Sequence, residues 1–163
     1  MKTLFVLLAT LMINLKCFAE NELTGKVINV IDGNTIEMVA QDNETYKVML
    51  FGIDCPEIGQ EFADKARKFL EKIILDKNVN IKIQGKDRWG NRLGIILIDG
   101  KIDPRYELLE AGLAWTAERN PIDELESIKE KAKEKGKGLW KEQDPTPPWI
   151  YRRQQSMMQP KSS

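Results

Sequence analysis

Three short stretches of this sequence carry side chains that could do chemistry. They are Asp32-Gly33-Asn34-Thr35, then Gly52-Ile53-Asp54-Cys55-Pro56-Glu57, then Asp87-Arg88-Trp89-Gly90-Asn91-Arg92-Leu93-Gly94. Each falls in a turn or at a strand end, where sites concentrate. The first two offer carboxylate and amide oxygens and no set of nitrogen or thiolate ligands, so a metal bound there would be a hard cation such as Ca²⁺. Each stretch also has a plain structural reading. The first makes a hairpin turn; the second is a strand end with Glu57 near a helix N-terminus; the third is a tight turn needing Gly90, with Trp89 as a packing residue. The chain of 163 residues contains no histidine. That excludes Ser-His-Asp and Cys-His catalysis, an imidazole base and His-ligated zinc. Acid–base work must fall to carboxylates, Lys, Tyr or a metal-bound water.

The elements that must position these stretches follow from periodicity. Leu23–Ile31, Thr35–Ala40 and Thr45–Phe51 read as strands, with Asp32-Gly33 and Gln41-Asp42-Asn43 turning between them. Pro56 ends the third run. From Gln60 to Leu75 the period becomes helical, with Phe62, Ala66, Phe69, Leu70 and Ile73 on one stripe. Asn78–Lys86 and Arg92–Ile98 read as two more strands. Asp103-Pro104 opens a helix that Gly112 closes, and Asn120-Pro121 opens another that Gly136 closes. Lysines at every second position from Lys129 to Lys137 scatter around a helix and mark a solvated surface. Five strands with a helix after the third predict an α+β, mainly β fold: a small closed barrel of the OB type with three helices.

The first 19 residues are expected to be a secretory signal peptide. Lys2 precedes an apolar run from Leu4 to Ile13, which is too short to span a membrane, and Cys17-Phe18-Ala19 supplies small residues before a cut. The whole chain balances 25 Lys and Arg against 25 Asp and Glu. Cleavage after Ala19 removes Lys2 and Lys16 and no acid, so the mature chain is slightly acidic, which argues against a strong nonspecific grip on nucleic acid. A secreted or periplasmic monomer with no membrane association is expected. Cys55 is then the sole thiol, read as buried and inert. Residues 20–143 form the expected domain, and residues 144–163, with Pro145, Pro147 and Pro148, are expected to be a stiff exit segment and a disordered polar tail.

Taken together, VIDGNT, GIDCPE, DRWGNRLG, LLEAGLAW, GKGLW and the PPWIYRR ending resemble, in order and spacing, the staphylococcal-nuclease-like (thermonuclease) family. The resemblance runs from about Val27 to Trp149. It implies a secreted Ca²⁺-dependent endonuclease that hydrolyses DNA and RNA phosphodiester bonds. It places Glu57 at the catalytic glutamate, Asp54 at one metal aspartate, and Cys55 at the position whose backbone carbonyl faces the metal.

Three positions depart from the family pattern. Asn34 stands at the second metal aspartate, and Met49 and Asn91 stand at the two phosphate-binding arginines. Losing one preorganised donor costs about 10²–10³ in rate, and the neutral Asn34 should weaken a Ca²⁺ site. Lys47, Arg88 and Arg92 are the candidates to replace the arginines. Lys47 shares a strand face with Met49, about 7 Å along, whereas Arg92 would face away from Asn91 unless a bulge turns it. Two readings stay open: a slow Ca²⁺-dependent nuclease, or a noncatalytic OB-fold module that binds nucleic acid or a protein partner.

Overall fold

The computed structural model describes residues 21–158; the expected signal peptide lies outside them. Seven strands form: β1 (Glu22–Asp32), β2 (Thr35–Ala40), β3 (Thr45–Leu50), β4 (Ile53–Asp54), β5 (Asn78–Lys86), β6 (Arg92–Ile98) and β7 (Trp115–Thr116). Among the described residues four α-helices accompany them: α1 (Ala63–Ile74), α2 (Pro104–Glu110), α3 (Asp123–Glu134) and α4 (Pro148–Met158), with a 3₁₀ turn at Gly138–Lys141. Strands β1-β2-β3-β6-β5 close into a barrel, and β4 and β7 form a separate two-stranded sheet. This is the expected OB barrel, with one helix more than the three expected.

The closure is parallel. Strand β3 lies beside β6 with Val48 opposite Arg92, Met49 opposite Leu93 and Leu50 opposite Gly94. A side chain at Gly94 would meet Ile81 and Val48 at 2.6 and 3.2 Å, so the bare backbone lets the strands close around a filled interior. Val27, Ile36, Met38, Val48, Leu50, Ile81 and Ile96 fill that interior, and α1 caps it with Ala66, Leu70 and Ile74. The last three recur every fourth residue, hence on one helix face. Phe62, Phe69 and Ile73 of the expected stripe pack at its margin.

Gly33 in the β1–β2 turn serves packing rather than an unusual backbone angle. An added Cβ there would sit 2.6 Å from the Cβ of Cys55 and 2.9 Å from that of Ala66. The turn can therefore press against both the β4 loop and α1. A second anchor is the buried pair Asp103–Arg105 at the start of α2. Asp103 caps the helix by accepting from the Arg105 amide at 3.0 Å, and its carboxylate meets Arg105 Nη2 at 2.6 Å. Arg105 Nη1 donates to the Phe51 carbonyl at 3.0 Å, which fastens the end of β3 where the chain turns toward Asp54.

Residues 148–158, within the expected exit segment and polar tail, form a helix; the last five residues lie outside the described residues. Pro148 sits at the first position of α4, where a proline's missing N–H costs nothing. Pro148 is the buried residue of this helix, Trp149, Ile150 and Tyr151 are half-buried, and Arg152 and Arg153 add ion pairs.

The Asp103–Arg105 pair yields a direct test. Asp103→Ala leaves a guanidinium buried without its partner, and should lower unfolding free energy by about 3–5 kcal/mol, read from urea denaturation. A loss below ~1 kcal/mol would mean that Arg105 finds another acceptor.

Candidate active site

Gly52 turns the chain out of β3 with φ 85°, and its carbonyl accepts from the Ala117 amide at 3.0 Å. Strand β4 then pairs with β7, with Asp54 opposite Trp115. Trp115 packs edge-to-face on Trp140 with ring centroids 5.4 Å apart. The LLEAGLAW and GKGLW motifs thus meet behind Asp54 and hold its strand in place. Glu57 follows in a loop, where its amide donates to Gln60 Oε1 at 2.8 Å. Gln60 Nε2 donates onward to the Thr146 carbonyl at 2.9 Å. The Glu57 loop is therefore tied to the chain entering α4.

These elements border a cleft of about 980 Å³. Asn34, Lys47, Met49, Asp54, Cys55, Glu57 and Asn91 all line it, so most of the residues singled out in the sequence come together. Two do not. The Arg92 guanidinium stacks over the Tyr46 ring at 4.5 Å, and Tyr46 in turn donates to Asp42 at 2.6 Å; Arg92 is not among the residues lining the cleft. Arg88 lies over the Trp89 ring at 3.9 Å and borders an adjoining, smaller cleft with Trp149 and Arg153. Trp89 is 68% exposed, so it is not the packing residue expected of this turn.

Asn91 has a structural occupation. Asp87 accepts from the Asn91 side chain at 2.8 Å and from the amides of Asn91 and Trp89 at 2.9 Å each. Gly90, at φ 86°, completes the turn. Desolvation pushes the Asp87 carboxyl upward, but these donors outweigh it and hold its pKa below the ordinary carboxylate value. Met49 lies half-buried between Thr35 and Leu93 on neighbouring strands. Neither position brings a positive charge to the cleft.

The cation arrives from elsewhere. Arg152 on α4 donates from Nη1 to Asp54 Oδ1 at 3.2 Å and from Nη2 to Asp54 Oδ2 at 2.8 Å, and Nη1 also donates to Glu57 Oε1. One guanidinium bridges both carboxylates. Burial raises the Asp54 pKa; Arg152 opposes this, and Glu57 and Asp32 add to it, leaving the net shift upward. Burial works against the Arg152 charge, but the two carboxylates outweigh it and hold the guanidinium more firmly protonated. Neighbouring Arg153 pairs with Glu118, and Tyr151 lies where a side chain at Gly59 would stand, 2.9 Å from its hydroxyl. Arg119 also lines the cleft. Sequence reasoning assigned no role to Arg119 or Arg152; the PPWIYRR ending was the available signal for Arg152.

Asn34 is buried, and its amide nitrogen donates weakly to the Ile53 carbonyl at 3.5 Å, which leaves its oxygen uncommitted to that bond. Cys55 is buried as expected, and burial pushes its thiol well above the usual range. Its side chain is a packing group.

The cleft of this OB barrel thus gathers two carboxylates bridged by one guanidinium, just beyond the end of its third strand. Comparison with known proteins places the chain in a family. Residues 47–142 match the family described as Staphylococcal nuclease homologue. An uncharacterized endonuclease of Haemophilus influenzae is 33% identical over 135 residues, spanning 82% of this chain and 75% of that protein. An uncharacterized endonuclease of Escherichia coli O157:H7 is 30% identical over 132 residues, spanning 80% of this chain and 86% of its own length. A micrococcal nuclease of Shigella flexneri is 27% identical over 140 residues, covering 79% and 80% of the two chains. This chain belongs to the staphylococcal nuclease family.

Two outcomes follow from the geometry. In Arg152→Ala the Asp54 carboxyl should titrate at higher pH than in the unaltered protein, because burial and two acidic neighbours then act unopposed; carbon-detected NMR of the carboxyl reads this directly, and a downward movement contradicts the bridge. Asp87→Ala should speed amide exchange at Trp89 and Asn91 on the order of tenfold, while exchange in α1 stays the same.

Proposed function

We propose that this protein is a divalent-cation-dependent phosphodiester hydrolase, an endonuclease acting on DNA or RNA with Ca²⁺ as its ion. The observation that carries the reading is the convergence of Asp54, Glu57 and Arg152 in a cleft also bordered by Lys47 and Arg119. The family membership and the nuclease relatives support it.

The donors fit a hard cation in kind. Asp54 would hold the ion through its carboxylate, with the Asn34 amide oxygen and the Cys55 carbonyl as neutral partners. They are few in number: among the described residues no three carboxylate or thiol side chains gather closely enough to cage a metal. Charge argues in the same direction. Five carboxylates line the cleft against three cationic side chains, so a polyanion meets net repulsion until a divalent ion balances it. When bound, such an ion supplies Lewis-acid stabilisation of charge on the phosphoryl oxygens.

Glu57 is the base. Its side chain is partly exposed, at 37%, so it can hold a water that a buried carboxylate could not reach, and it takes the water's proton as oxygen attacks phosphorus. Asp54 is more buried, at 17%, which suits a ligand more than a proton carrier. Lys47 and Arg119 add charge along the strand's path and lack the fixed fork that the family's arginines provide. Met49 and Asn91 remove two such forks, and turnover is therefore slow. Those two positions also favour the second reading, a module that binds nucleic acid without cutting it.

Purified protein incubated with plasmid and single-stranded substrates in Ca²⁺ separates the readings. The expected result is cleavage that chelator abolishes and that falls at least ~10²-fold in Glu57→Gln. Equal background in both proteins would rule out the hydrolase. Met49→Arg restores a fork on the cleft wall and should raise the rate by about tenfold or more.

A further inference from the structure

We infer that Arg152 is the phosphate-binding guanidinium of this protein, brought to the site by the C-terminal helix in place of the two arginines that β3 and the β5–β6 turn lack. The inference rests on the reading of the cleft as a nucleic-acid site and names a residue that contacts a substrate phosphate.

The hydrogen geometry carries it. A guanidinium has five N–H donors in one plane. Asp54 takes one hydrogen from Nη1 and one from Nη2 in an end-on fork, and Glu57 takes the other Nη1 hydrogen. The remaining Nη2 hydrogen and the Nε hydrogen have no acceptor among the described residues. Those two lie along one edge of the plane and point the same way, which is the arrangement that grips two oxygens of a phosphate. Arg152 can therefore keep both carboxylates and still present a complete fork. Its side chain is 42% exposed and borders both the cleft and the adjoining smaller one.

Position follows from the same contacts. A phosphate seated on the Nε/Nη2 edge lies across the guanidinium from Glu57, so Arg152 holds the phosphate and the Glu57 carboxylate on opposite edges of one plane. The carboxylates fix the rotamer of Arg152 before substrate arrives, which removes the ordering cost a free surface arginine would bear. A bare approach to Asp32, Asp54 and Glu57 would be repelled by three negative charges, and Arg152 is the cation in direct contact with two of them.

The docking of α4 suits the role. The chain entering α4 is tied to the Glu57 loop through Gln60 and Thr146, Tyr151 rests against Gly59, and Arg153 pairs with Glu118. A movement of the Glu57 loop thus carries Arg152 with it.

The test measures binding of a fluorescent oligothymidylate with phosphorothioate linkages, which resist hydrolysis, to the full chain at several salt concentrations, in Ca²⁺ and in chelator. Arg152→Ala should weaken binding about tenfold and flatten the salt dependence by roughly one phosphate contact. Arg152→Lys keeps the positive charge near Asp54 but has no fork; it should bind at least about threefold more weakly than the parent with the salt slope retained. Arg67→Ala, whose ion pairs lie within α1 and which borders neither cleft, should match the parent. Circular dichroism confirms that each variant is folded. Binding by Arg152→Ala that equals or exceeds the parent would overturn the inference and make the guanidinium a seal over the carboxylates; so would an unaltered Arg152→Lys. Cleavage separates the two claims. A parent that binds through Arg152 but never cuts defeats the hydrolase and leaves the phosphate contact standing. A parent that cuts, with Arg152→Ala binding normally, does the reverse. No salt-dependent binding by the parent defeats both.

Discussion

The parallel contact between β3 and β6 is the constraint on which the molecule depends. It closes the barrel, and its register sets Leu93 beside Met49 and brings the 87–91 turn alongside the C-terminal half of β3. A slip of one residue would exchange Val48 and Leu50, both buried, for Lys47 and Met49 in the interior. The hydrophobic alternation of β3 forbids that slip. The same alternation sends Lys47 and Met49 to the cleft, so the core and the site are specified by opposite faces of one strand.

Asp54 shows how rigidity is delivered to a short element. Two residues of strand could not hold a carboxylate still by themselves. Here β4 is pinned by β7, β7 by the Trp115–Trp140 contact, and the approach to β4 by the Arg105 bond to the Phe51 carbonyl. Burying Asp103 and Arg105 together would be costly for either alone; paired, they convert that cost into a fixed loop exit. Glu57 sits on a softer arrangement, tied through Gln60 to the segment leading into α4, and stays open to water.

Charge is distributed in an unusual way for a site of this kind. The positions on the barrel wall where the resemblance to the family places arginines hold a methionine and an asparagine. The asparagine serves the Asp87 turn, and nothing in the structure explains the methionine beyond its fit between Thr35 and Leu93. The guanidinium that bridges Asp54 and Glu57 belongs to a helix that follows the barrel domain in sequence. The cleft's electrostatics therefore depend on whether that helix is seated, which couples the C-terminus to the carboxylates some hundred residues earlier in the chain.

Much of this was legible in the residues. The strand and helix runs and the barrel follow from local periodicity; the meeting of Asn34, Asp54, Cys55 and Glu57 was implied by the resemblance to the family, not by periodicity. The fates of Arg92 and Arg152 were not. Arg92 follows the turn glycine closely enough to look like a substitute, yet an aromatic ring on the neighbouring strand captures it. Arg152 lies in a polar stretch after three prolines, where composition suggests a tail; its helix has one buried residue and hence almost no apolar stripe to announce it. Local sequence determines hydrophobic burial because burial repeats with the geometry of the element. The partner of a long charged side chain is decided by which opposite charges the folded chain leaves within its reach, and that distance exists only once the barrel has closed.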